Sequence, residues 1–281
     1  MKNYMNLKMK LSILGIICLM LLPFGSVFSQ IRGNRKVVKQ TREVSGFNSI
    51  VSKGSVDIYL TQSDTEDLYL EADENLLDVI ITKVKDNTLY IYCDKSIFNA
   101  SELKAYIKVK NLNGIILNGS GDFYSENTIN ADVFNFKITG SGDMDLLVDA
   151  NKILGLMTGS GDADIHASAD VFDVKMKGSG DILVEDLKTN ICNIRVYGSG
   201  DAKISGDSET LNIIQYGSGD VDLYDFPVKK CVIKKTGSGD AKVFVENELI
   251  VYSKGSGDVY FKGSPDKEKI SCKGSGDVYR K

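Results

Sequence analysis

The chain has 281 residues, 34 Lys and Arg against 38 Asp and Glu, one His, no Trp and 27 Gly. Its formal charge of −4 argues against nucleic acid as a partner, because phosphate binding needs clustered cations in excess. A lone His excludes His-rich metal centres and paired-His chemistry, and the length alone leaves one or two domains open.

At the N-terminus, Lys2, Lys8 and Lys10 precede the apolar run Leu11 to Leu22, followed by Gly25, Ser26 and Ser29. A basic start, a short apolar run and a small-residue cleavage zone read as a signal peptide over residues 1–29. The run is short for a membrane span, so no transmembrane segment is expected in the mature chain. Cys18 follows Ile16-Ile17, a poor lipidation context. Cleavage leaves 31 basic and 38 acidic residues, a charge of −7. The implied location is the periplasm, the outer surface or the extracellular space.

Residues 30–43 are polar and basic and read as a flexible leader. Residues 44–118 then alternate apolar and polar in short runs: Val56, Ile58 and Leu60, Leu68 and Leu70, Leu89 to Cys93, and Ala105 to Val109. Residues 75–85 suit either a short helix or another strand. Gly54-Ser55-Val56-Asp57 is a degenerate copy of a motif that dominates the C-terminal half of the chain. This region reads as irregular coils that cap a repeat array.

From residue 119 to 281, Gly-Ser-Gly-Asp occurs nine times, beginning at Gly119, Gly140, Gly159, Gly178, Gly198, Gly217, Gly237, Gly255 and Gly274. Spacings stay between 18 and 21 residues, the mark of a solenoid whose units bury their apolar faces against their neighbours. Even offsets from each corner are mostly apolar (Ile194, Val196, Ile204), and odd offsets carry charges (Arg195, Asp145, Lys242). A period of two means strands with one buried face. The predicted fold is all-β, a single parallel β-solenoid with coils of about 19 residues. Parallel crossovers favour the right-handed β-helix. Leu154-Gly155-Leu156 breaks the pattern and predicts a local bulge.

Four cysteines remain after cleavage: Cys93, Cys192, Cys231 and Cys272. Export permits disulfides. However, Cys192 and Cys231 share an inward column two coils apart, roughly 9.6 Å, too far for a bridge. Buried free thiols are expected. At the other end, Lys267, Lys269, Lys273, Arg280 and Lys281 suit an edge that resists aggregation.

Phe47-Asn48-Ser49-Ile50, Val56-Asp57-Ile58-Tyr59-Leu60, Leu112-Asn113-Gly114-Ile115 and the Gly-Ser-Gly-Asp corners together resemble the auto-transporter adhesin head GIN domain family. The resemblance covers roughly Val44 to Tyr279, and implies an exported β-solenoid with an adhesin-like role. It implies no catalytic residues. No barrel-forming segment follows Lys281, so self-translocation through a C-terminal barrel is not expected.

Two residue sets repeat. The corner aspartates are Asp122, Asp143, Asp162, Asp181, Asp201, Asp220, Asp240, Asp258 and Asp277. Stacked about 5 Å apart, neighbours would repel by about 0.8 kcal/mol in water. Backbone N–H groups, Ser hydroxyls or nearby cations must offset that, and Asp as a turn-closing acceptor is the leading reading. The other is a Ca2+ ladder of carboxylate oxygens. Outward tyrosines form the second set: Tyr124, Tyr197, Tyr216, Tyr252, Tyr260 and Tyr279. Tyr197 with Tyr216 and Tyr260 with Tyr279 stand in adjacent coils. The ladders either shield the strand surface, the leading reading, or offer a ligand surface.

His166 reads as a solvated loop residue. The corners lack the continuations of a nucleophile elbow or phosphate loop. No cofactor is expected beyond that calcium reading. The near-constant spacing also leaves no long loops for a polysaccharide-cleaving groove. The expected function is therefore a non-enzymatic adhesin or ligand-binding module for a glycan or protein surface. A β-helix polysaccharide enzyme and a purely structural envelope component are the alternatives.

Overall fold

Alternating apolar residues on both sides of each corner produce strands that run around most of a coil. The computed structural model describes residues 30–281, and the signal peptide expected at 1–29 lies outside them. Met144–Gly159, Ala163–Gly178, Ile182–Gly198, Ala202–Gly217 and Val221–Gly237 each pair in parallel with the next coil. The fold is therefore the predicted β-solenoid. Within Met144–Gly159 the inward phase flips once: Met144, Leu146, Val148 and Ala150 are buried, then Ile153 and Met157, with Asn151 and Lys152 both outward between them. That flip is the bend separating two flat faces. The upstream face precedes each corner and the downstream face follows it.

The interior between the faces is one continuous apolar cluster, with Phe123, Phe134, Phe172 and Phe226 fully buried. The expected bulge at Gly155 is absent: Leu154, Gly155 and Leu156 pair in unbroken register on both sides. A side chain there would collide with the Phe136 ring, whose Cζ lies 2.2 Å from where a Cβ would stand. Gly155 makes room for an aromatic neighbour. Register shifts fall instead on the downstream side, around Glu185 to Leu187, Lys203 to Ser208 and Leu223 to Lys230.

Corners stack glycine on glycine. Gly119 pairs with Gly140, Gly140 with Gly159 and Gly159 with Gly178. A Cβ on Gly161 would lie 2.1 Å from the Gly142 carbonyl oxygen, and Gly159 adds a φ of +131°. The first Gly of each motif is thus needed for its dihedral at most corners, and the second for its missing side chain.

The N-terminal units cover the first coil with antiparallel strands. Ser49–Gly54 and Asp57–Gln62 stack on Thr88–Cys93 and Leu103–Val109 in parallel. Beyond them, Ile80–Lys85 runs antiparallel to Thr88–Cys93, and Asp67–Asp73 antiparallel to Leu103–Val109. Residues 30–43 are not the loose leader expected from their polarity. Val37–Thr41 adds antiparallel to Asp67–Asp73, and Ile31–Arg32 pairs with Ile97–Asn99. Residues 75–85 realise both alternatives, the 3-10 helix Glu74–Val79 running directly into the strand Ile80–Lys85.

Cys192 and Cys231 are buried free thiols flanking Leu211, as the spacing predicts. Burial pushes both thiols well above the usual range. Cys272 is exposed and Cys93 half-buried, because each stands on a strand near one end of the array, Cys272 on the exposed strand Lys267–Gly274 and Cys93 on Thr88–Cys93.

One inward column breaks the apolar rule inside the body of the solenoid. Met157, Met176 and Val196 give way to Gln215 and Lys235, both buried. Each reaches the carbonyl of the second corner glycine in its own coil: Gln215 Nε2 donates to Gly219 O at 2.6 Å, and Lys235 Nζ to Gly239 O. Burial holds the Lys235 ammonium below the usual lysine range, against the upward pull of Asp240, Asp258 and Asp220.

Gly161→Ala is expected to cost about 2–3 kcal/mol by overpacking backbone against backbone. Gly46→Ala, at φ +72° with nothing within 4 Å of its Cβ, should cost only about 1 kcal/mol. Denaturant midpoints compare the two, and equal losses would contradict the stacking account. Lys235→Met places in this column the residue already at positions 157 and 176. A base depressed by folding penalises the native state while it is charged, so the variant should melt higher at pH 7. That advantage should fade as pH climbs toward the ordinary lysine value of ~10.4, where the unfolded chain also loses the proton, and be absent above it. A melting temperature unchanged or lowered at pH 7 contradicts it.

Candidate functional site

The corner aspartates close rung to rung. The backbone N–H of Asp122 donates to Asp57 Oδ1 at 3.1 Å, that of Asp143 to Asp122 Oδ1 at 2.9 Å, and that of Asp162 to Asp143 Oδ1 at 2.8 Å. Asp181, Asp201, Asp220, Asp240 and Asp258 repeat the contact at 2.7 Å, and Asp277 at 2.9 Å. Each carboxylate from Asp57 to Asp258 thus offsets repulsion in its column by accepting from the next coil. Asp258 is pulled below the usual carboxylate range, chiefly by the Asp277 N–H and then by the Tyr260 hydroxyl. Asp57 is pushed up, because burial outweighs the Asp122 N–H.

The second carboxylate oxygen divides the coils. Tyr124 donates to Asp122 Oδ2, Tyr260 to Asp258 Oδ2 and Tyr279 to Asp277 Oδ2, at 3.2, 2.9 and 3.3 Å. Each pair is an Asp-x-Tyr on one strand face. Tyr260 is pushed up to about 12 by this bond, and Tyr124 to about 12 by burial and then by Asp122. In the middle coils Asp162, Asp181, Asp201 and Asp220 line an open groove of about 590 Å³ with Lys203 and Lys242.

Tyrosines fall on both faces. Tyr197 and Tyr216 stack on the upstream face with centroids 5.5 Å apart, and Tyr260 and Tyr279 stack 5.5 Å apart on the downstream face. A third ladder, of which the repeat pattern shows only Tyr124, runs Tyr69, Tyr106, Tyr59, Tyr124 at 4.6, 4.9 and 5.0 Å. Its members come from different strands in a non-sequential order, so no repeat period reveals it. Its inner ring faces cover one another and Lys39 lies over Tyr69, so its edges are what it presents.

The upstream face carries a charge pattern that net charge conceals. One outward column reads Lys137, Leu156, Lys175, Arg195, Ile214, Lys234, Tyr252, Ser271. Beside it stand Lys177, Tyr197, Tyr216, Thr236, Lys254 and Lys273. Asp173 is paired with Arg195 at 2.6 Å. Among the described residues, Lys137, Lys175, Lys177, Lys234, Lys254 and Lys273 make no ion pair. Tyr216 and Tyr252 are 46% and 40% exposed. With Lys234, Lys254 and Lys273 they line a shallow groove of about 280 Å³.

His166 is not on a loop. It lies within the strand Ala163–Gly178, points outward, and has its Nε2 3.3 Å from Glu185 Oε2.

The fold is a β-solenoid whose outward side chains stand in columns, coil on coil. Comparison gives its family: a model described as "Putative auto-transporter adhesin, head GIN domain" matches residues 46–205 and 194–265, and the chain belongs to that family. Three crystal structures from Parabacteroides share the fold. One from Parabacteroides distasonis, described as a "putative lipid binding protein", is 24% identical over 90% of this chain and 99% of that one, with a TM-score of 0.67. A "putative adhesin" from the same species is 23% identical over 90% of this chain and 100% of that one, TM-score 0.69. Another from Parabacteroides merdae is 20% identical over 90% and 99%, TM-score 0.67. No curated protein matches the chain. Among the described residues, no helix is long and apolar enough to cross a membrane.

Asp201→Asn keeps an acceptor for the Asp220 N–H and relieves column charge, so its denaturation midpoint should stay near wild type. Asp201→Ala leaves that N–H without its partner and should lower the midpoint clearly. Equal loss in both variants would mean that the charge, and not the acceptor, holds the corner.

Proposed function

We propose that this chain is an exported, non-enzymatic adhesin-type module that binds acidic glycan chains along its upstream face. The carrying observation is the row of unpaired lysines, Lys175, Lys234, Lys254 and Lys273, interleaved with exposed Tyr216 and Tyr252. Successive coils lie about 4.8 Å apart, so a linear polyanion running along the solenoid axis meets a cation on most of the coils it crosses. Tyrosine faces and edges add apolar contact to sugar rings. Family membership supports an adhesin-like role, and the basic start followed by the apolar run Leu11 to Leu22 supports export to the periplasm or cell surface. The steady coil length supports a surface without the long loops that build a catalytic groove.

Calorimetry with polygalacturonate, and neutral dextran as control, tests this reading. Binding should be selective for the uronate polymer, weaken with salt, and fall about tenfold or more in Lys234→Glu/Lys254→Glu. Both side chains are exposed, so the variant should fold normally. Equal binding of dextran, or no loss on charge reversal, would overturn the assignment. Release of reducing ends from the polymer would replace it with the enzymatic alternative.

A further inference from the structure

We infer that Asp164, His166 and Glu185 form a surface site for a divalent transition-metal ion, with Zn2+ its expected occupant. Asp164 and His166 stand two apart on the strand Ala163–Gly178, so both point out of the downstream face. Glu185 lies directly opposite His166 on the next coil. One donor atom from each of the three falls within 4.8 Å of the others, and the His166 and Glu185 donors are 3.3 Å apart. Neighbouring ligands of a tetrahedral ion with bonds of about 2.0–2.1 Å are themselves about 3.3 Å apart. Small side-chain rotations therefore close the shell.

The donor set selects the ion. An imidazole nitrogen beside two carboxylates suits zinc better than calcium, which takes oxygen ligands in larger number. Asp145 pairs with Asp164 from the preceding coil and adds negative potential at the same place. The local backbone explains why the third ligand is in position. The coil from Gly178 to Gly198 holds one residue more than its neighbours on either side, and Asp186 takes up the excess at φ +54°. Glu185 precedes that slip, so its register with His166 is kept while the chain beyond is displaced. Three side-chain ligands leave a fourth position for water or for an oxygen of a bound partner. This site lies on the face opposite the lysine row and does not depend on it.

The test is calorimetry with Zn2+ alone on metal-stripped protein, in the wild-type and Cys272→Ser chains so that the exposed thiol is controlled. One equivalent should bind in both. His166→Gln, Asp164→Asn and Glu185→Gln should each weaken binding about tenfold or more, with unchanged circular dichroism because all three side chains are on the surface. As the single His of the chain, His166 gives an unambiguous imidazole NMR signal, which should shift with zinc and stay unmoved by equal calcium. Zinc binding that survives His166→Gln, an imidazole signal untouched by zinc, or an equal response to calcium would each overturn the proposal.

Discussion

At every corner, backbone lies directly on backbone. The second glycine of one coil sits where a Cβ would fall 2.1–2.3 Å from the carbonyl oxygen of the coil before it, a separation that no side chain tolerates. Because the approach is that close, the next N–H reaches the carboxylate below, and the aspartate Oδ1 contact recurs from Asp57 to Asp277. Glycine sets the spacing and aspartate closes it. The rest of the molecule inherits its register from this contact.

A strict register has an electrostatic consequence. Each outward position has its counterpart on the next coil about 4.8 Å away, so wherever the repeat keeps a charge, as at the corner aspartates, like charges stand in a column. The aspartate column is relieved by backbone N–H donors, by tyrosine hydroxyls at Asp122, Asp258 and Asp277, and by the buried ammonium of Lys235 beneath. In the upstream column of cations, Arg195 has a carboxylate partner in Asp173. The lysines around it have no carboxylate partner, Lys175 lying instead over the Tyr197 ring, and an overall acidic chain carries a basic face.

Particular residues mark where sequence reasoning reaches and where it stops. The stacking of Cys192, Leu211 and Cys231 is legible, because it depends only on repeat length and strand period. Gly155 is not, since its meaning lies in the Phe136 ring of the neighbouring coil and not in its own strand. His166 sits on a strand where the sequence suggests a loop, for repeat position alone does not say how far a strand continues past a corner. Tyr59, Tyr69 and Tyr106 are invisible as a ladder, because one parallel and one antiparallel pairing of Leu103–Val109 bring them together outside the repeat order.

By itself, then, the sequence determined the solenoid, its coil length, its buried columns and the place of each glycine corner. These are local consequences of alternation and of a repeat that returns every 19 or so residues. Only the tertiary structure decided which charges face one another across coils, which tyrosines stack, and how the N-terminal strands cap the first rung. Those depend on side chains distant in sequence meeting at one height along the axis, and on the small register slips, such as that after Glu185, that displace one coil against the next.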